Sequence, residues 1–300
     1  MRATLIEVAP RDGFQPIGPF IPTDDKVAFV EAAHAAGLAR IEIGSFVNPK
    51  AIPQLRDTAE VLARTAHLPG LDAQVLVPNA RGVELALQAG ARHLVYVISA
   101  SDTHNAANVR RDTATSTREY GEVVRALPPG IRLRLNLATS FDCPFDGRMA
   151  EAVVLDRLAR MLDHRADVEV GLCDTTGRAD PDHVASLAAA CLRRWGDSTR
   201  FVFHGHDTYG LGLANAAAAW RAGITGFDAA FGGLGGCPFA PGATGNTATE
   251  DLAWVFRRMG VETGVDLDAL VALAGRAATL PGASPGGRVR VAMLAAGKAG

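Results

Sequence analysis

Short runs of Val, Ile, Leu and Phe recur along the chain, and between them lie longer stretches with apolar residues three and four apart. The runs fall near Thr4–Val8, Arg40–Gly44, Ala73–Val77, His93–Ile98, Arg132–Leu137, Val168–Leu172, Phe201–Phe203 and Phe227–Phe231. Runs of this length bounded by turn residues read as buried strands. The intervening stretches read as amphipathic helices, at Asp24–Ala36, Asn79–Ala89, Ser116–Leu127, Glu151–Arg165, Pro181–Arg194 and Gly212–Ala222. Several open on Thr, Asp or Pro and close on Ala-Gly, as at Ala36-Gly37, Ala89-Gly90 and Ala222-Gly223. These are ordinary start and stop signals for helices. Eight strand–helix units over roughly 250 residues predict an α/β protein, a (β/α)8 TIM barrel with its active site at the C-terminal strand ends. A doubly wound open sheet is the structural rival. It would place a glycine-rich turn after the first strand, and Ala9-Pro-Arg-Asp-Gly13 is not one. The barrel is expected over about residues 1–262. A short helical extension, about 263–300, follows with one helix, the Pro/Gly-rich loop Pro281–Gly287 and a tail. No linker or low-complexity tract divides the chain, so one catalytic domain is expected.

The strand ends carry the candidate chemistry. Strand 1 runs into Pro10-Arg11-Asp12-Gly13, and strand 2 carries Glu42 and ends at Ser45. Strand 5 reaches Asn136, Thr139 and Ser140, and strand 6 ends in Cys173-Asp174-Thr175-Thr176. Strand 7 is Phe201-Val-Phe followed by His204-Gly-His206-Asp207, and strand 8 runs through Gly232-Gly-Leu-Gly-Gly-Cys237-Pro to Asn246. Side chains two apart on a strand point the same way, so His204 and His206 converge at one strand end. That is half of a metal site, or else a hydrogen-bonded pair at a strand–loop junction. Arg11 and Asp12 can form a local ion pair, and Glu42 and Asp174 can orient loops. Asn246 precedes Thr247-Ala-Thr-Glu250, a capping-box pattern, and can serve to start a helix. Cys237, with glycines before it and a proline after it, reads as part of a loop over the barrel mouth rather than as core. The remaining histidines, His34, His67, His93, His104, His164 and His183, read as largely solvent-facing, with His104 set apart by its place in the loop after strand 4.

Composition narrows the class. The chain is 48% hydrophobic, ample for a large core, and its formal net charge is −2 with charges scattered. No basic patch points to nucleic acid, and no like-charge run points to a disordered tail. No stretch approaches the roughly 18 apolar residues of a membrane helix, and the N-terminus enters a strand directly. The four cysteines, Cys143, Cys173, Cys191 and Cys237, lack CxxC spacing, so a reducing, cytoplasmic setting is expected.

The motifs Glu7-Val-Ala-Pro-Arg-Asp-Gly-Phe-Gln15, Ile41-Glu-Ile-Gly-Ser-Phe-Val-Asn-Pro-Lys50, His204-Gly-His-Asp-Thr-Tyr-Gly210, Gly232-Gly-Leu-Gly-Gly-Cys-Pro238 and Gly245-Asn-Thr-Ala-Thr-Glu-Asp251 resemble those of 3-hydroxy-3-methylglutaryl-CoA lyase. This family belongs to the metal-dependent lyases and synthases that share an Arg-Asp first-strand motif on a TIM barrel. The resemblance runs in order over about residues 4–260, and the Gly-Gly-Cys-Pro loop separates the chain from condensing relatives such as isopropylmalate synthase. It implies that Asp12, His204, His206 and Asn246 hold a divalent cation, that Arg11 and Cys237 match the catalytic arginine and loop cysteine, and that Glu42 and Asp174 are further active-site acids. It also implies an acyl-CoA substrate, a role in leucine degradation and a homodimer or higher homo-oligomer. The sequence departs from the family at Pro16-Ile-Gly-Pro19, in place of a polar Asn-Glu-Lys-like run, and at Pro281–Gly287, which lacks an Asn-Arg-Lys-like CoA-contacting segment.

The implied reaction is retro-Claisen cleavage. A tertiary hydroxyl loses its proton while the departing carbanion is held as a thioester enolate. A mixed N/O ligand set suits Mg²⁺ or Mn²⁺, with Zn²⁺ and Co²⁺ also compatible. A Schiff-base aldolase would need a lysine at a strand end. The chain has only Lys26, Lys50 and Lys298, none of them in a strand. The remaining alternatives are a related lyase for a citramalyl-type CoA ester and a non-catalytic acyl-CoA or metal-binding homologue.

Overall fold

The structure, a computed structural model, describes residues 2–236 and 245–296. Eight strands close into a parallel barrel: β1 (Thr4–Glu7), β2 (Arg40–Ser45), β3 (Asp72–Val77), β4 (His93–Ser99), β5 (Arg132–Ala138), β8 (Glu169–Asp174), β9 (Arg200–Gly205) and β10 (Gly226–Ala229). A hairpin of β6 (Asp142–Cys143) and β7 (Gly147–Arg148) follows β5. The outer ring comprises α1 (Thr23–Ala35), α2 (Thr58–Thr65), α3 (Ala80–Gln88), α4 (Asp102–Val109), α5 (Thr113–Ala126), α6 (Glu151–Leu162), α7 (Pro181–Trp195), α8 (Gly212–Ala222) and α9 (Thr249–Arg258). Two further helices, α10 (Leu267–Ala277) and α11 (Val289–Ala296), form the extension. The expected (β/α)8 barrel is the observed fold, and the described part of the tail carries a helix, Val289–Ala296.

The local code is conventional. Asn79, Ser101, Asp112, Asp180 and Asp266 each accept a hydrogen bond from the amide three residues on, satisfying a helix N-terminus. The apolar core lies between strands and helices, and Leu133, Leu135 and Leu137 of β5 belong to it. Arg132, Arg134 and Asn136 alternate with those leucines and so face the barrel axis. Two expectations change here. His93 and His183 are buried rather than solvent-facing, because His93 opens β4 beside Asp72 and His183 packs edge-on against Phe141. The capping box at Thr247 does not form. Ala248 is the N-cap of α9, while Thr247 Oγ1 donates to Gly205 O and Glu250 accepts from the Gly232 amide.

Three aromatic rings tie the first loop to the last. Phe14, Phe29 of α1 and Phe231 after β10 lie 5.5–5.9 Å apart between ring centroids. The extension docks on the same corner: Gly286 N donates to Gly232 O, and Asp251 of α9 accepts from the amides of Arg288 and Val289. Among the described residues no helix is long and apolar enough to cross a membrane.

Candidate metal centre and active site

After β1 the chain turns through a single π-helical turn, Ala9–Gly13, closed by Gly13 N donating to Val8 O and Phe14 N to Ala9 O. Such wide turns recur at functional sites because they push side chains out of helical register. Here the turn delivers Arg11 and Asp12 to the barrel mouth. Buried Glu7 braces it from below, accepting from Ala9 N (2.8 Å), Phe231 N (3.0 Å) and Thr249 Oγ1 (2.8 Å).

His204 lies near the end of β9 and His206 just past it, and their rings lie 5.2 Å apart. The ligand-type atoms of Asp12, His204 and His206 fall within 4.8 Å of one another. Asn246 joins them because residues 245–247 pair along the end of β9: Asp207 N donates to Gly245 O, Thr247 N to Gly205 O, and His206 and Asn246 form an antiparallel bridge. Asn246 Nδ2 donates to Asp12 Oδ2 (2.8 Å) and Leu234 O (3.0 Å), which leaves Oδ1 buried without a partner. Gly235, at φ +136°, lies against that amide; a Cβ there would meet Asn246 Nδ2 at 2.6 Å. Buried acceptors are seldom left empty, and a carboxylate, two imidazoles and a spare amide oxygen together make a donor set suited to a hard or borderline cation. The residues present therefore fit the group that the motifs imply.

The electrostatics favour the ligand forms. Burial raises the Asp12 carboxyl, but Arg11, His204, His206 and the Asn246 hydrogen bond outweigh it and bring it down to about 2. Burial, then the neighbouring His204, hold the His206 imidazole down at about 4 against the pull of Asp12. Both groups are thus ready to give lone pairs near neutral pH. Beside them Arg11 Nη1 meets Asp12 Oδ1 at 2.5 Å and Nη2 meets Glu42 Oε2 at 2.9 Å, while Arg11 Nε and Glu42 Oε1 are buried without partners. Burial also raises the Glu42 carboxyl, with Arg11 opposing.

Other residues from the sequence reading find different partners. Asp174, fully buried at the end of β8, accepts from the amides of Arg178 and Ala179, and burial pushes it up to about 7 against those donors. Ser45 Oγ donates to Leu76 O, Ser140 Oγ to Leu137 O, and Asn136 accepts from Arg134. Cys237 lies outside the described residues. An open cleft of about 540 Å³ adjoins Asp12, walled by Pro16, Ile17, Phe20 and Ile52 on one side and bounded by Gly236. Buried Gln54 holds that wall, accepting from Ile21 N and donating to the carbonyls of Ile17 and Pro19. Sequence reasoning missed Asp228 and Arg134, which lie inside strands read as apolar runs. Their signal was the alternation of charged residues along β5.

A family model described as HMGL-like matches residues 2–276. The chain is 43% identical over 285 residues to an (R)-citramalyl-CoA lyase of Chloroflexus aurantiacus, covering 90% of this chain and 88% of that protein. It is 39% identical to a hydroxymethylglutaryl-CoA lyase of Bacillus subtilis, covering 91% of each. The structure of an HMG-CoA lyase from Acinetobacter baumannii, in complex with coenzyme A and 3-methylmalate, superposes with a TM-score of 0.90 at 39% identity, over 97% of this chain and 95% of that one. Fold and relatives together define a carbon–carbon lyase built on a (β/α)8 barrel. The chain belongs to the HMGL-like family.

Proposed function

We propose that the protein is a divalent-metal-dependent lyase that cleaves a 3-hydroxy-3-methylglutaryl-CoA-like thioester to acetyl-CoA and acetoacetate. The observation that carries this reading is the meeting of Asp12, His204, His206 and Asn246 at one rim, with the Asn246 carbonyl oxygen unspent. These four residues would hold Mg²⁺ or Mn²⁺. When bound, the cation acidifies the substrate hydroxyl and fixes its geometry.

The chain's own residues supply the rest. The hydroxyl proton leaves, the C2–C3 bond breaks with its electron pair passing into the thioester enolate, and C2 takes up a proton. Arg11 keeps a permanent positive charge beside the developing enolate oxygen, with its unpartnered Nε–H as a spare donor. Glu42 fixes the guanidinium plane through its 2.9 Å ion pair. Asp174 shapes the β8 loop, and its raised carboxyl can carry a proton at the mouth. Cys237, next in sequence to Gly236, exchanges a proton with the substrate or the enolate. The cleft beside Asp12 receives the thioester arm of an acyl-CoA substrate. The chain works as one catalytic domain, in a reducing cytoplasmic setting that suits its buried free cysteines Cys143, Cys173 and Cys191, and as a homo-oligomer.

A second reading, cleavage of a citramalyl-type CoA ester, is favoured by the 43% identity to the Chloroflexus enzyme. A panel of hydroxyacyl-CoA esters, assayed with Mg²⁺ or Mn²⁺ and again with chelator, separates the two by the mass of the keto-acid product. Metal-dependent release of acetyl-CoA is the expected result. Failure to cleave any ester in the panel would overturn the proposal.

A further inference from the structure

Parallel barrels usually fill their axis with branched apolar side chains. This one carries charge there. Arg134 of β5 is the largest fully buried side chain in the structure, at 1% exposure. Its Nη1 and Nη2 donate to the two oxygens of Asp228 on β10, at 2.8 and 2.6 Å, and its Nε donates to Asn136 Oδ1 at 2.7 Å. Asp228 Oδ2 in turn lies 3.0 Å from Nδ1 of His204. Asp228 and His204 are register partners on adjacent strands, so the contact is built into the sheet.

The chain of bonds has a chemical consequence. An ionised carboxylate can only accept, so it selects the imidazole tautomer with hydrogen on Nδ1 and the lone pair on Nε2. That leaves Nε2 with its lone pair for the cluster His204 forms with Asp12 and His206. The two charge-assisted bonds from Arg134 hold the Asp228 carboxyl in place as that acceptor. The route of Arg134 across the barrel also depends on its neighbour. A Cβ at Gly171 of β8 would overlap Asn136 Oδ1 and the Arg134 guanidinium. Stability alone does not account for such a pair, since apolar replacements of buried ion pairs are often neutral or better.

We propose that Arg134 and Asp228 are positioning residues that lock His204 in the Nδ1–H tautomer and present Nε2 to the cation, and that Gly171 is the gap through which Arg134 reaches Asp228. The cation clause rests on the metal reading given above; the tautomer clause stands without it.

The test uses metal-free protein first. Proton–nitrogen correlation spectra of the histidine rings should show wild-type His204 protonated at Nδ1. Arg134→Met, which strands the Asp228 carboxyl, and the isosteric Asp228→Asn should each lose that preference. Mn²⁺ titration should then show affinity about 10–100-fold weaker in both, and in Gly171→Ala. Should Arg134→Met not fold, Asp228→Asn still gives both readouts. Wild-type tautomer and wild-type Mn²⁺ affinity in Asp228→Asn would overturn the proposal. So would a loss of Mn²⁺ affinity in Asp228→Asn with the His204 tautomer unchanged, which marks a general structural effect. Wild-type protein that takes up no Mn²⁺ counts instead against the metal reading, and the spectra then decide the tautomer clause alone.

Discussion

The two ends of this barrel both gather charged side chains, partly exposed at one end and buried at the other, and they treat them differently. At the N-terminal end, the first residues of five strands form a closed network. Arg40 grips Glu169 with both terminal nitrogens, at 3.0 and 2.7 Å, and approaches Asp72 at 3.4 Å. Asp72 also accepts from Arg132 and meets His93 at 2.9 Å. None of these groups is among the described side-chain atoms that are buried and unpartnered. At the C-terminal end, Arg11 Nε, Glu42 Oε1, His206 Nδ1 and Asn246 Oδ1 are all buried and unpartnered. An orphaned buried polar atom costs about 1–3 kcal/mol, so four at one rim would be expensive unless something else completes them. The closed network reads as structure, and the open one as a binding site.

The largest effect should come from emptying the open end. Asp12→Ala or His204→Ala is expected to strip the protein of divalent metal by elemental analysis and to abolish turnover, with the fold retained by circular dichroism. Next, Cys237→Ala should keep metal affinity and lose turnover by about 10²–10⁴-fold, the usual range for an acid–base group. Unchanged turnover would remove the loop cysteine from the mechanism. Arg11→Met should lower kcat by about 10²–10³-fold, or ~2.7–4 kcal/mol of barrier, as loss of an oxyanion donor does.

The closed end should respond the opposite way. Arg40→Met is expected to lower the urea midpoint by about 1–3 kcal/mol of stability while leaving Mn²⁺ affinity within about twofold. A large loss of metal affinity there would break the distinction between the two ends. The smallest effect is a pH slope. Burial raises Glu7 to about 8 from an ordinary 4.5, so its proton is bound more tightly in the folded state. Its contribution to stability is whole below about 4.5 and is lost as pH rises through about 8. Glu7→Gln, which cannot ionise, should flatten that decline in melting temperature between pH 5 and 8.

Much of this was legible in the sequence, for identifiable reasons. Strands declare themselves by apolar runs, and a barrel turns every strand end toward one rim. His204 and His206 on β9 therefore met Asp12 from β1 without any long-range information beyond strand order. Asn246 was less secure, since the same residues read equally well as a helix start; the strand-like pairing of residues 245–247 with β9 settled its position. What stayed hidden was the barrel axis. Arg134 and Asp228 sit inside runs scored as apolar, and only their period-two spacing from neighbouring polar residues marks them as inward-facing. The short helices α2 and α4 escaped because eight residues offer too few turns for a periodic signal. Asp174 had read as either a loop brace or an acid, and its two backbone donors now add weight to the brace.

The hydrogen bond from Gly286 to Gly232 makes the carboxyl-terminal segment part of the architecture of the mouth. The final helix is moored by Asp251, and Gly282 lies close to Pro19, whose carbonyl accepts from Gln54 behind the cleft wall. Purification handles and fusion partners therefore belong at the amino end, since a load on the far terminus pulls on a segment docked beside the barrel mouth. Chains trimmed before Val289 should show this first as a higher KM, ahead of any fall in melting temperature.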